Sequence, residues 1–487
     1  MARAPRNAEK TRLSLTAVAE LAILACLALW LGLAMVHPPF WGLMDDHLNL
    51  YVLCPEISDQ GFAHFYLEYV RRDIVGWGMM RLIYPLQVFL FYCHGSPWLA
   101  AASNLVLVIA STWLFFWSLA RAVGNSSESF RSLDARRAAA LGTLSCVAFF
   151  WYHDFFLHVS LQEKTVLLWI AVVVAVLFSK RGQSLRPLPF SLLSGGLLLA
   201  GLAIKGQFAI ALPLLGALQL TRELQRGGLR SAWRTAVLVL WGASGTLVVK
   251  AVAMRGPYAS RFTLEQGWHN LHTPIAILFL VPILLVGTVA VRGVLRHRGD
   301  ARWLVDGASA LSLIAFLVVL APVGLRGYVL AFSAPWLVLP WLLWLPGRSS
   351  RVLWAVTLPT AVLALTVTGY RSARALERGE DLRHIVASPQ LAELARRGEP
   401  LRVPCVEGSA AIRRYVAANQ ASEVVVLGPD APRASGNESS VWFHDSSNCP
   451  LGRFAEELAP TARTVLIAPS FAGSYTVERF DPSGSEK

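Results

Sequence analysis

The chain has 487 residues, of which 55% are hydrophobic and 15% charged, with a formal net charge of +13. A soluble domain of this size carries about a quarter of its residues as charges to cover its surface. That shortfall, with a mean hydropathy of +0.49, excludes a soluble globular enzyme, a disordered protein and a coiled coil. An integral membrane protein of many spans is left, because a ~30 Å hydrocarbon core takes roughly 20 apolar residues per helix and about 220 residues lie in such runs, enough for about eleven helices.

In chain order, Arg3, Arg6, Lys10 and Arg12 precede an apolar run at 13–36. The run is too long for a signal-peptide core and no small-residue cleavage pattern follows it, so it reads as a retained first helix with its N-terminus in the cytoplasm. Later runs fall at 97–120, 138–151, 157–179, 188–204, 207–221, 235–253, 273–292, 304–322, 328–345 and 352–369. The segments between them alternate between dense and sparse in Lys and Arg, with 21 such residues on one set and nine on the other. By the positive-inside rule this places residues 37–96 and the tail outside the cytoplasm. The same rule explains the net charge without invoking nucleic acid. The localisation expected is a bacterial inner (plasma) membrane.

The first outside loop, 37–96, is rich in aromatics and reads as amphipathic segments at the interface, around 62–70 and 79–92. From about 371 the composition shifts to charged residues punctuated by Pro and Gly. Short apolar runs at 423–427 and 464–468 read as strands, alternating with helical stretches at 389–397, 408–419 and 451–458. The expected fold is therefore an all-α polytopic membrane domain (residues 1–370) followed by a small extracytoplasmic α/β domain (371–487). Of the six cysteines, Cys26 and Cys146 lie in apolar runs as packing residues. Cys54 and Cys93 share the first loop, and Cys405 and Cys449 share the tail; either pair could form a disulfide in an oxidising compartment.

Four places could carry chemistry. Asp45-Asp46-His47 follows the first helix. Adjacent carboxylates at a membrane surface repel each other, so they are either plainly solvated or work as a general base beside a metal-binding carboxylate. A second group is His153, Asp154 and His158, followed by Gln162-Glu163-Lys164. It reads either as a second acidic or metal-binding site or as interfacial residues with a Glu163/Lys164 end cap, and its spacing is no recognised zinc pattern. Third, Lys205 interrupts about 30 apolar residues, which by default marks function; it either snorkels to the surface or holds a phosphate. Fourth, Arg326-Gly327-Tyr328 opens a helix, where an arginine either anchors the interface or clamps phosphate with its forked guanidinium. No phosphate-cradling glycine loop, Ser-His-Asp order or CxxC motif is present, so nothing suggests a nucleotide donor.

The order of these features resembles the GT-C superfamily of glycosyltransferases, and within it the bacterial protein-mannosyltransferase-like group. The resemblance covers residues 1–345 and rests on four segments. These are Asp45-Asp46 at the head of a long loop, the passage 81–121, the stretch 201–215 (similar to GLA-x-x-TKGP-x-A-x-x-LPLL, with Ile204 for Thr and Gln207 for Pro) and Arg326-Gly327-Tyr328 through Pro335. It implies a polyprenyl-phosphate sugar donor and inverting transfer on the outer face of the membrane. It further implies Asp45 as the base, with Asp46 either supporting it or binding a divalent metal ion (Mg, Mn or Zn). Lys205, Arg326 and Arg81 are the expected donor-phosphate ligands, Tyr328 lies beside them, and Asp154, Glu163 and His153 form the expected second acidic or acceptor site. The partners expected are the lipid-phosphate sugar, membrane lipid and a glycan, lipid or protein acceptor. The competing reading is a multi-span transporter or flippase of lipid-linked saccharides, which calls for inverted repeats and matching broken helices that the sequence lacks. A further class, another acyl- or phospho-transferring membrane enzyme, would have to work through His153 and His158.

Overall fold

A computed structural model of the chain describes residues 14–36, 49–93, 96–124, 134–149, 152, 154–157, 162–227, 232–255, 307–308, 327–344 and 350–386. It also describes strands at 401–402, 426–427, 439–443, 463–469 and 475–480. Up to residue 386 these are helical. Helix α1, Leu15–Val36, starts where the Ser14 hydroxyl accepts the Ala17 N–H at 3.1 Å. The first loop holds a π-helical turn at Asn49–Leu53, α2 (Cys54–Gln60), α3 (Phe62–Arg72), a second π-helical turn at Asp73–Trp77, and α4 (Tyr84–Phe91). Then come α5 (Pro97–Gly124), α6 (Ala135–Val147), the single turn α7 (Asp154–Leu157), α8 (Glu163–Leu177), α9 (Lys180–Ser184) and α10 (Pro187–Ile204). A 3₁₀ segment, Gly206–Ala211, leads into α11 (Leu212–Gly227), followed by α12 (Trp233–Ala253), α13 (Gly327–Trp344) and α14 (Ser350–Val386).

Nine of the eleven expected runs carry a helix here; those at 273–292 and 304–322 lie outside the described residues, 307–308 aside. Among the described residues five helices are long and apolar enough to cross a bilayer: Leu15–Val36, Trp98–Gly124, Pro187–Ile204, Trp233–Ala253 and Leu353–Ala373. The protein is thus a polytopic helical membrane protein. Helix α1 packs on α14 and α6, α5 lies against α6 and α8, α10 lies against α8 and α12, and α13 closes on α6. With no hydrophobic drive between helices in lipid, close backbone approach at small residues does much of the joining. At the α10–α12 seam, a Cβ on Gly195 would meet the Trp241 ring at 2.6 Å, and one on Gly245 would meet Leu202 at 2.5 Å.

Among the described residues, polar contacts join the helix ends at two opposite ends of the bundle. At one end Arg136 holds Glu20 of α1 through two bonds of 2.6 and 2.7 Å. At that end too the Arg222 guanidinium donates to the Phe178 carbonyl, and Glu223 accepts the Arg234 and Thr235 N–H groups that open α12. The first long loop belongs to the other end and has a small core of its own: Leu53, Ile57, Phe65, Tyr69, Tyr84 and Val88. A disulfide between Cys54 and Cys93 closes it across 39 residues. Of the two amphipathic segments expected there, 62–70 falls in α3, which is amphipathic, whereas 79–92 carries α4, which is apolar on its exposed side too, at Leu86 and Leu90. Leu67 and Val75 point away from the core, 70% and 72% exposed.

In the tail, β1 (Leu401–Arg402), β2 (Val426–Leu427), β3 (Ser439–Phe443), β4 (Arg463–Pro469) and β5 (Tyr475–Phe480) form one sheet in the order β2-β1-β3-β4-β5. All pairs are parallel except β4 with β5. The two expected strands coincide with β2 and β4. The expected tail helices, and the Cys405/Cys449 pair, lie outside the described residues.

Candidate active site

The polar groups at the loop end are built from three segments. Helix α10 stops at Lys205, whose extended backbone (φ −162°, ψ 135°) breaks the helix before the 3₁₀ segment. The glycines flanking the break are required by packing. A Cβ on Gly201 would strike the Phe208 ring at 2.7 Å as the 3₁₀ segment folds back on α10, and one on Gly206 would meet Val249 of α12 at 2.9 Å. Lys205 is thereby aimed sideways, and its Nζ meets the Glu163 carboxylate of α8 at 2.5 Å. Glu163 is fully buried, while Lys205 keeps a quarter of its side chain exposed. The adjacent Lys164, also fully buried, turns elsewhere and donates to the Asn104 side chain of α5. Asn104 in turn donates to the carbonyls of Phe155 and Phe156 at 3.0 and 2.8 Å. Glu163 and Lys164 thus face different neighbours, Lys205 and Asn104.

The third segment is the turn before α4. The Leu82 N–H donates to the Ala203 carbonyl at 3.0 Å, and the Gln87 amide donates to the Thr165 hydroxyl at 2.8 Å, tying this turn and α4 to the end of α10 and the start of α8. Arg81 lies beside that contact. Its Nε and Nη2 grip Asp73 at 2.9 and 2.5 Å, and Nη2 also reaches the Tyr69 hydroxyl at 3.3 Å. Burial weakens its charged form, but Asp73, with Tyr69 and Tyr84 behind it, more than offsets this and holds the guanidinium pKa above its usual value. Expected as a phosphate ligand, Arg81 spends three of its five N–H groups on the loop's own fold, and only Nη1 is left without a partner among the described residues. The chain arriving from the acidic pair joins here too: Asn49, fully buried, accepts the Tyr84 hydroxyl at 2.8 Å.

Of the expected site residues, the structure brings Lys205 and Glu163 into contact and sets Arg81 beside the same turn. Asp154 opens α7 and Tyr328 lies in the first turn of α13. Asp45, Asp46, His153, His158 and Arg326 lie outside the described residues. Among the described residues no three His, Cys, Asp or Glu side chains come together to hold a metal. Sequence reasoning missed Asp73 and Gln87; a neutral amide and a lone acid in a helical loop look like any solvated face until the fold buries them.

No protein-family model matches the chain, and no curated protein matches it. Among solved structures it is similar to ArnT from Cupriavidus metallidurans bound to undecaprenyl phosphate, over 93% of this chain and 94% of that one. The identity is 13% and the TM-score 0.46, a likeness too slight to carry an argument.

Proposed function

We propose that the protein is an integral-membrane glycosyltransferase. It moves a sugar from a polyprenyl-phosphate donor to a glycan, lipid or protein acceptor outside the cytoplasm, with inversion. The observation that carries this reading is the Lys205–Glu163 pair: a cation and a buried carboxylate held at a helix break, at the membrane end where the first loop gathers. A lipid donor keeps its phosphate at that depth while its chain lies in the bilayer, so a cation there, with a base above it, is what the reaction needs. The sequence resemblance to the GT-C superfamily, which includes the stretch around Lys205, supports the same chemistry.

In this reading Lys205 and Arg326 hold the donor phosphate, and their charge stabilises it as it leaves, so no general acid is needed. Asp45 removes the acceptor proton while the sugar carbon is attacked from the opposite face. Asp46 supports Asp45 or takes a divalent metal. Arg81, locked on Asp73, orders the loop and presents Nη1. A disulfide in the loop supports an oxidising compartment on that side.

The decisive experiment incubates the purified protein with a panel of polyprenyl-phosphate sugars and follows donor consumption. One donor should be consumed in an acceptor-dependent way, and Asp45→Asn should abolish this without lowering expression. Full turnover by that variant removes Asp45 as base; lipid movement across vesicles without sugar transfer would instead support a flippase.

A further inference from the structure

Several side chains on the segments that meet at Lys205 carry buried polar atoms that no described residue satisfies. Gln162, 2% exposed, has a partner for neither end of its amide. Glu163 gives Oε1 to Lys205 and leaves Oε2 unpaired. Gln87, 5% exposed, donates to Thr165 and leaves Oε1 unpaired, and Gln207, two residues past Lys205, also has an unpaired Oε1. These residues sit on segments already bonded to one another: α4 to α8 through Gln87 and Thr165, α8 to the helix break through Glu163 and Lys205, and the turn before α4 to α10 through Leu82 and Ala203. A buried polar group left unpaired is destabilising, because it has given up its bond to water and gained none in return. Five such atoms on segments that these bonds tie together mark a place where something that enters supplies the missing bonds.

Their chemistry says what enters. The free oxygen of Glu163 can only accept, and each glutamine amide offers an acceptor at one end and a donor at the other. The complement is a ligand whose hydroxyl groups both donate and accept and which carries no negative charge toward Glu163. We propose that Gln162, Gln87, Gln207 and the free oxygen of Glu163 form the sugar subsite of the donor, and so select a neutral, hydroxyl-rich glycosyl group over one bearing a carboxylate. A uronate would set acceptor against acceptor beside the Glu163 carboxylate, whereas each sugar hydroxyl pairs with an oxygen that otherwise goes without. A site built on buried hydrogen-bonding groups discriminates steeply against a ligand that leaves them unpaired. The inference rests on the lipid-phosphate donor reading above.

The test measures binding of bare polyprenyl phosphate, a polyprenyl-phosphate hexose and the matching hexuronate to the full-length protein in nanodiscs, for wild type, Gln162→Leu and Gln207→Leu. Wild type should bind the hexose at least tenfold tighter than the other two. Each variant should lose that increment while keeping bare-phosphate affinity within twofold. If Gln162→Leu does not accumulate, Gln162→Asn, shorter by one methylene, takes its place. Equal hexose and bare-phosphate affinities in wild type, an unchanged hexose increment in the variants, or equal loss for all three ligands overturns the subsite. A wild type that binds no bare phosphate overturns the donor reading itself, which is a distinguishable result.

Discussion

Lys205 is tolerated inside an apolar stretch because Glu163 meets it, and each residue explains the other. Removing one partner of a buried ion pair leaves an uncompensated charge, at a cost of about 3–5 kcal/mol. Lys205 is a quarter exposed, so Lys205→Met should fall toward the lower end of that range, read as a lowered melting temperature. Adding Glu163→Gln should recover most of the stability and none of the sugar transfer. Recovery of transfer in the double variant would show that the lysine serves only to neutralise the acid. The lysine was legible in the sequence, since a cation among some 30 apolar residues stands out. Its partner was not: Glu163 and Lys164 are neighbours, and only the rotation of α8 decides that one faces Lys205 and the other Asn104. Arg81 was legible as a cation at the right end, but its hold on Asp73 was not, because that depends on how the π-helical turn aims a single acid.

At the scale of elements, glycines separate packing from chain flexibility. Gly245→Leu drives a side chain into Leu202 at the α10–α12 seam, whereas Gly196, on the same α10, has nothing within 4 Å of its Cβ position. Overpacking a tight contact costs about 1–3 kcal/mol. Gly245→Leu should therefore lower the melting temperature of the solubilised protein clearly, while Gly196→Leu leaves it level or slightly raised through helix propensity. Equal effects would mean the seam is not formed as described. The Cys54–Cys93 bridge makes a second prediction at this scale. Closing a loop of this length contributes about 2–4 kcal/mol, so Cys54→Ser should make the loop 49–93 the first segment exposed to protease. The helices themselves were legible because an apolar run of membrane length can do little else. Their ends were less so: α6 begins at Ala135, capped by Asp134, and α14 continues through polar residues to Val386, because a helix once nucleated runs on past the apolar zone. Of the strands, β2 and β4 announce themselves by branched apolar runs, while β1 is two residues long and β3 begins on two serines.

For the whole molecule, the alternation of basic loops gives an orientation that a reporter can check. Alkaline phosphatase fused after residue 386 should be active, and the same reporter placed between α9 and α10 should be silent; the reverse result inverts the topology and with it the placing of the site. Deleting 387–487 should leave sugar transfer within a few-fold of the full chain, since no catalytic signature lies in the tail. Helix α14 adds a mechanical consequence. It has 37 residues, and its membrane-compatible stretch ends at Ala373. Thirteen more residues to Val386 make a rod of roughly 20 Å at 1.5 Å per residue. The final hundred residues thus begin on a stiff stalk whose length fixes both their starting height and their compass bearing. Two alanines inserted into it would swing that bearing by about 200°, four by only about 40°, so any duty the tail performs facing a particular way should fail with the first insertion and survive the second.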